Sequence, residues 1–533
     1  VSHPLRDFSS ADSKIPHHNI PKNFLHLKLE ILDTTLRDGE QTSGVAFSAP
    51  EKLSIAQKLL EEVKVDRLEI ASARVSDGEF ECVKKVCAWA TESGYIDRIE
   101  VLGFCDNGAS IDWICRAGGR AINLLCKGSE KHCTAQLKKT PEEHWADVRK
   151  NVLMARKAGL SVNIYLEDWS NGILHSPDYV TKMVETLSDL PIQRFMLPDT
   201  LGILAPHQTK KLMRQMVQTF PALHFDFHAH NDYDLAVANV LAAAEAGCRG
   251  VHTTVNGLGE RAGNASLSSV VAVLNDMLPE VEVGVVEQSI NSISRMVESY
   301  SGIATAANTP IVGENVFTQT AGVHADGDKK GHLYINALLP ERFGRSREYA
   351  LGKMSGKANI EQNLKLLGIN LSDDDMRRVT KRINEMGDKK EHVTIDDLPY
   401  IIADVLHHEA PSDRIRLLSY MVSTAYGLHP QAVVKLEIDG QAYEESATGD
   451  GMFDAFVRAV RHIYRLKLGR TFPWLTNYAV TIPPGGRTDA LVQTAISWEY
   501  EGKVYRTRGL DADQTEAAIK ATIKMLNLLE MDR

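Results

Sequence analysis

The sequence predicts an α/β chain whose largest part is a closed (β/α)8 barrel, and three observations carry that prediction. Eight short apolar, β-prone runs alternate with helix-like segments over about 250 residues, the count and length of such a barrel. No Gly-rich dinucleotide fingerprint follows the first run, which weighs against the competing open doubly wound sheet. Residues capable of chemistry gather just past the runs, where barrels of this kind carry their working side chains.

The first run is Leu29 to Leu32, which gives way to acids, threonines and an Arg-Asp-Gly. Ser48-Ala-Pro-Glu51 then offers a capping box with proline in the first turn, and Leu53, Ala56, Leu60 and Val63 follow at helical spacing. Further strand-like runs are Arg67 to Ala71, Ile99 to Phe104, Ala121 to Leu125, Val162 to Leu166, Arg194 to Leu197, Leu223 to Phe227 and Gly250 to Val255. Between them the sequence predicts helices such as Phe80 to Thr91, His144 to Ala158, Pro177 to Ser188, His207 to Phe220 and Leu235 to Ala246.

At 533 residues the chain is too long for one core. The expected divisions are a polar lead-in over 1–27, the barrel over 28–300, a linker over 301–411 and a small domain over 412–533. The linker reads as helical from Asn308 to about Leu406, with Met376, Val379, Ile383 and Met386 on one face. The last domain carries an internal echo. Val433 to Ile438, Asp439-Gly440 and Gln441 to Ser446 read as a hairpin before a helix from about Met452 to Leu466. Leu491 to Tyr500, Glu501-Gly502 and Lys503 to Arg508 repeat it before a helix from about Ala512 to Leu529. Two ββα units predict a pseudo-twofold α+β module.

Composition excludes some classes. A net charge of −10 argues against a general nucleic-acid binder. The seven cysteines all lie between Cys82 and Cys248, with no Cys-x-x-Cys pair, so a disulfide framework is not expected and a reducing cytoplasm fits. No apolar run approaches the roughly 18 residues of a membrane span.

The chemistry collects at the strand exits. Arg37 and Asp38 follow strand one, where the bland alternative is a simple Asp-Gly turn. Tyr165 and Glu167 end strand five, Asp199 and Thr200 follow strand six, and Asn256 to Asn264 follow strand eight. His228 and His230 stand two apart at the end of strand seven, so both imidazoles face one side and can reach one cation. The alternative is a packed, hydrogen-bonded histidine pair.

LRDGEQT, the HAHND stretch and NGLGERAGN at Asn256 to Asn264 resemble the signatures of the metal-dependent barrel acyltransferases. That family includes the 2-isopropylmalate, homocitrate and citramalate synthases, which condense acetyl-CoA with a 2-oxo acid. YLEDWSNG at Tyr165, FTQTAGVHADGDKK at Phe317 and LPERFGR at Leu339 are most similar to bacterial citramalate synthases, and the similarity runs from about residue 29 to the end.

The resemblance implies a divalent ion, zinc, manganese or magnesium, on Asp38, His228, His230 and Asn264, with acetyl-CoA as co-substrate. It places Arg37 on the developing alkoxide, Thr200 on the substrate carboxylate and Glu167 near the reacting carbons. The base is expected on the linker, at His324 with Asp326 and Tyr334 close by, supplied by the partner subunit of a homodimer. His332 departs from the asparagine of the citramalate pattern. Leu102, Leu125 and Tyr165 stand where isopropylmalate synthases leave room for a branched side chain, so pyruvate is the expected acceptor and 2-isopropylmalate synthase the alternative identity. The final domain resembles the family's regulatory module, with isoleucine a better fit as effector than leucine; a dimerisation module without an effector site is the bland alternative. Two other classes compete, a lyase related to the hydroxymethylglutaryl-CoA enzymes and a ligand sensor with an inactive barrel. The complete site set and the C-terminal module argue against both.

Overall fold

The computed structural model describes residues 27–319, 335–352, 355–366, 369–388, 393, 398–406, 414–481, 492–501 and 503–531. The chain forms two compact units. The first runs to Thr318 and takes in Ile335–Glu348; the second holds the remainder.

The first unit is a closed barrel of eight parallel strands in sequential order. They are β1 (Glu30–Asp33), β2 (Arg67–Ser72), β3 (Ile99–Phe104), β4 (Ala121–Lys127), β5 (Ser161–Glu167), β6 (Arg194–Asp199), β7 (Phe225–Ala229) and β8 (Gly250–Thr253). β8 returns to β1 in register from Glu30↔Gly250 to Asp33↔Thr253, which closes the sheet. Each strand is followed by a helix. Two of these begin with the cap the sequence spells out: the Glu51 carboxylate accepts from the Ser48 backbone N–H and hydroxyl, both at 2.7 Å. Thr140 and Glu143 do the same reciprocally, so the fourth helix starts at Pro141, three residues before the expected His144.

The barrel interior is charged where barrels of this kind carry branched aliphatic layers. Arg67 on β2 ion-pairs with Glu100 at 3.0 Å, with Glu30 at 3.0 Å and with Asp226. Above them Asn123 donates to Glu69 at 2.8 Å and Asn163 to Asn123 at 2.8 Å. Arg67 and Glu69 sit two residues apart on β2, so that strand presents alternating inward positions that its apolar run conceals. Burial alone would raise the Asp226 carboxyl, but Arg67, His224 and His252 hold it well below the usual carboxylate range.

Several expectations are corrected. The stretch from Asn308 is not helical at its start. Among the described residues its helices are Lys357–Leu366, Asp373–Asp388 and Leu398–Leu406. The earlier LPERFGR segment folds onto the barrel unit instead: Phe343 is fully buried there, Arg342 pairs with Asp276 and Glu287, and Arg345 donates to the Ile311 and Gly313 carbonyls. The expected boundary at 300/301 therefore falls inside the first unit. Met376, Val379 and Ile383 are buried in a separate helical cluster with Ile360, Leu364 and Leu398.

The C-terminal repeats gain a strand. They read β9 (Ile415–Ser423), β10 (Gln431–Ile438), β11 (Gln441–Thr448), then β12 (Trp474–Thr481), β13 (Val492–Tyr500), β14 (Lys503–Asp511), each trio an antiparallel sheet followed by a helix. The unit is βββα, not ββα. β9 and β12 are edge strands with apolar residues exposed on them, such as Leu418, Met421 and Trp474, so they lack the period-2 pattern that marks β10. The Asp439-Gly440 turn has both residues at positive φ (50° and 81°), the geometry of a two-residue hairpin. No helix of the described residues is long and apolar enough to cross a membrane, and all seven cysteines are free thiols.

His144 yields a pH prediction. Its buried ring accepts the Lys127 N–H at 3.1 Å, and burial, with Lys139 nearby, lowers its pKa to about 4. The unfolded chain therefore binds this proton first as pH falls. Its stabilising contribution is full above the ordinary value of 6.5 and is lost between there and about pH 4. Between pH 7 and 4.5 urea unfolding should show roughly 2–3 kcal/mol less loss in His144→Gln than in the parent. Identical pH dependence in both proteins would refute the assignment.

Candidate active site

At the exit of β1 the Thr34 carbonyl accepts N–H bonds from Arg37, Asp38 and Gly39 at 3.1, 2.8 and 3.1 Å. The Arg-Asp-Gly is thus a tight turn, as the bland reading has it, and that turn delivers Arg37 and Asp38 together into the barrel mouth. Lys52, 1% exposed, fixes the loop from below through Glu40 (2.7 Å), Glu79 (2.5 Å) and the Leu36 carbonyl (3.3 Å).

Arg37 is the hub. It donates from Nε to Glu69 at 2.6 Å, from Nη1 to Asp38 at 3.0 Å and from Nη2 to the Tyr165 hydroxyl at 3.2 Å. Three of the five donors of a guanidinium are thereby used, and two have no partner among the described residues. The Tyr165 hydroxyl also meets His252 Nδ1 at 3.0 Å, and His252 Nε2 meets Asp226 at 3.2 Å. Burial lowers the His252 pKa and raises that of Tyr165 well above its ordinary value, so a neutral imidazole faces a protonated phenol. The acceptor-only carboxylate of Asp226 takes the Nε2 proton, which leaves Nδ1 to accept from Tyr165.

Asp38, His228 and His230 converge beside Arg37. His228 Nε2 lies 3.2 Å from Asp38 Oδ2 and 3.3 Å from His230 Nε2, and one ligand atom from each of the three falls within 4.8 Å of the others. Burial would raise Asp38, but Arg37 and the two histidines hold it well below the carboxylate range. Burial lowers both imidazoles, His230 to about 4 with the His228 charge contributing, so both keep lone pairs at neutral pH. Asn264 is brought alongside by a backbone bridge to His230. The glycines of its loop permit the approach: a Cβ on Gly259 would lie 2.3 Å from Asn264 Nδ2, and one on Gly263 1.9 Å from the Gly257 carbonyl. Asn264 Nδ2 donates to Leu258, while its Oδ1 and Asp38 Oδ1 are buried without a partner. Two orphaned oxygens, one from a carboxylate and one from an amide, beside two imidazole Nε2 atoms fit a divalent cation. Simple packing of a histidine pair would not orphan those oxygens.

Leu102, Tyr165 and Met196 are buried together with Leu32, and Leu125 packs against them, so the three expected wall residues do share one cluster in the barrel mouth. Glu167 ion-pairs with Lys127, its register partner on β4. The Thr200 hydroxyl accepts from the Asp168 N–H at 2.9 Å, and Arg261 donates to the Thr200 carbonyl at 2.8 Å while gripping Asp232 through two bonds. Asp199 instead caps its own loop, accepting from Ile203 and Leu204. His324, Asp326, His332 and Tyr334 lie outside the described residues. Sequence reasoning missed Glu69, Lys127, Asp168, Asp226, His252 and Arg261. The available signal was a charge at an alternate position within an apolar strand, as in Arg67-Leu-Glu69.

Residues 28–297 match the family described as HMGL-like, 311–391 the homocitrate synthase post-HMGL domain, and 392–530 the LeuA allosteric (dimerisation) domain. A Methanopyrus kandleri protein named "Probable 2-isopropylmalate synthase" is 35% identical over 95% of this chain and 99% of its own length. Two proteins of Methanocaldococcus jannaschii follow: a 2-isopropylmalate synthase, 33% identical over 94% of both chains, and an (R)-citramalate synthase, 32% identical over 94% of this chain and all of its own. Enzymes of this family use acetyl-CoA and a divalent metal, which the donor set described above suits. The chain belongs to the HMGL-like family and, within it, to the acetyl-CoA-condensing acyltransferases that include the citramalate and 2-isopropylmalate synthases.

Proposed function

We propose that this enzyme condenses acetyl-CoA with pyruvate and hydrolyses the thioester, giving (R)-citramalate and CoA. The observation that carries the choice of acceptor is the pinned Tyr165 ring. Its hydroxyl is tied to Arg37 and His252, so the ring cannot swing aside, and with Leu102, Leu125 and Met196 it narrows the space beside Asp38 and His228. A methyl group fits such a space better than an isopropyl group. The second reading, 2-isopropylmalate synthase, is favoured by relatives of that name at 35% and 33% identity.

In the proposed reaction Asp38, His228, His230 and Asn264 would hold a divalent ion, which would supply Lewis acidity for a 2-oxo acid. The two spare Arg37 N–H groups stabilise the negative charge that develops on the keto oxygen as the new carbon–carbon bond forms. Thr200 is assigned to the acceptor carboxylate as a hydroxyl hydrogen-bond donor, and Glu167, ion-paired with Lys127, is assigned to the neighbourhood of the reacting carbons. The base that takes the acetyl methyl proton is assigned to the linker, at His324 with Asp326 and Tyr334, supplied in a homodimer by the partner subunit. The C-terminal domain is read as the sensor of a branched-chain amino acid end product, isoleucine in preference to leucine. The free thiols support a cytoplasmic setting.

Four outcomes are expected. In a thiol-release assay with acetyl-CoA and a panel of 2-oxo acids, pyruvate should exceed 2-oxoisovalerate in kcat/KM by roughly tenfold to a hundredfold, since overpacking costs about 1–3 kcal/mol. Tyr165→Ser with Leu125→His should shift the ratio toward 2-oxoisovalerate; equal use of both acids by the parent would leave isopropylmalate synthase as the better reading. His230→Ala should lose bound divalent metal by elemental analysis while its circular dichroism is unchanged, because a strand-end ligand carries little of the core; full metal occupancy would sink the ligand assignment. Isoleucine should inhibit the full chain and leucine do so less. Insensitivity to both would make the C-terminal module a dimerisation element alone.

A further inference from the structure

Asp168, the residue after Glu167, stands in the left-handed region at φ 66°, ψ 26°. A side chain is held there only when its surroundings over-determine it. The surroundings of this one do: the carboxylate is 1% exposed, one oxygen accepts from Ser129 Oγ at 2.7 Å with His132 Nε2 at 3.4 Å, and the other accepts from Asn171 Nδ2 at 2.7 Å. Ser129 lies on the loop beyond β4 and Asn171 on the short helix Trp169–His175 beyond β5, so the carboxylate ties two loops together. In that posture the Asp168 N–H is delivered to Thr200 Oγ1 at 2.9 Å, on the loop beyond β6.

That last bond decides what Thr200 can do. A hydroxyl has one proton and two lone pairs. One lone pair is occupied by the Asp168 N–H, and among the described residues the proton has no acceptor. The Thr200 carbonyl is fixed separately by Arg261. Thr200 is left presenting a donor, the chemistry that suits a carboxylate.

We propose that Asp168 is a positioning residue for the acceptor carboxylate: its anchored left-handed backbone holds Thr200 Oγ1 so that the hydroxyl proton is committed to the 2-oxo acid. The proposal rests on the role given to Thr200 above. Asp168 touches no substrate atom and acts through Thr200 alone, so its loss should weaken acceptor binding and leave the acetyl-CoA side untouched.

The test is a double-mutant cycle of Asp168→Ala and Thr200→Val in the full chain, measuring KM and kcat for pyruvate, 2-oxoisovalerate and acetyl-CoA. Asp168→Ala should raise the KM of the better 2-oxo acid about tenfold, the scale of one hydrogen bond to a charged group, with little change in kcat and in the acetyl-CoA KM. Asp168→Asn, which tolerates the left-handed region, should stay within about threefold of the parent. In the Thr200→Val background Asp168→Ala should add little, because the group through which it acts is gone. Independent, multiplicative effects, or equal rises in both KM values, would overturn the proposal. Should Asp168→Ala not fold, Asp168→Gly takes its place: it keeps the left-handed backbone without the anchor, and a parent-like acceptor KM in that variant would also overturn it. A parent enzyme that condenses no 2-oxo acid would remove the reading beneath it, whereas a parent that turns over with an additive cycle removes this inference alone.

Discussion

The structure turns on one largely shielded cation. The Arg37 guanidinium is lodged in the barrel mouth, and a charge in such a place persists only if it is paired and hydrogen-bonded. Glu69, Asp38 and Tyr165 provide that, each from a different strand or strand exit. Each partner is committed in turn. Glu69 stays on β2 with Asn123, Asp38 is drawn between Arg37 and His228, and Tyr165 is turned with its hydroxyl toward the barrel axis. Removing the guanidinium would leave two buried carboxylates without their shared counter-charge, so the cation proposed to act on substrate is also what makes its surroundings possible.

The charged interior continues below. Tyr165 leads to His252, His252 to Asp226, and Asp226 to Arg67 with Glu100 and Glu30, an unbroken chain of polar contacts from the mouth of the barrel to its floor. Buried ion networks are weak contributors to net stability beside well-packed aliphatic layers, and removing one member is costly because it strands the others. What such a network supplies is definition. Each group has one orientation that satisfies its neighbours, and the imidazole of His252 is held in the tautomer that Asp226 dictates.

Much of this fold was legible because barrel strands and helices obey short-range rules. Eight runs in order, the Ser48 cap and the Asp439-Gly440 turn all fall where the sequence reading put them, and Asp38, His228 and His230 lie together with Asn264 bridged to His230 through the backbone. What was not legible depended on partners distant in sequence. Arg67, Glu100 and Asp226 look like interruptions of apolar strands until the barrel closes and brings them within bonding distance. β9 and β12 lack an alternating pattern because edge strands need bury little, and the LPERFGR segment reads as linker although Phe343 belongs to the barrel core. Asp168 gives no sign at all: a left-handed aspartate is a property of the backbone, imposed here by Ser129, Asn171 and Thr200 together.

The near-equal identity to relatives named for two different products follows from where acceptor choice would reside. Identity over some 500 aligned positions is dominated by helix faces, strand cores and loops that any acceptor tolerates. The proposed wall involves Leu102, Leu125, Tyr165 and Met196, too few positions to move a global percentage by as much as one point in a chain of 533 residues. The wall is also not free to drift by itself. Tyr165 contributes its ring to the wall and its hydroxyl to Arg37, so a change that widens the space for a branched acid also takes a partner from the guanidinium proposed to steady the developing charge. Acceptor size and catalytic competence are therefore coupled through one side chain. A family member that accepts a bulkier acid has to supply another partner for that arginine, which makes the neighbours of Arg37, and not overall similarity, the place where the two activities should part.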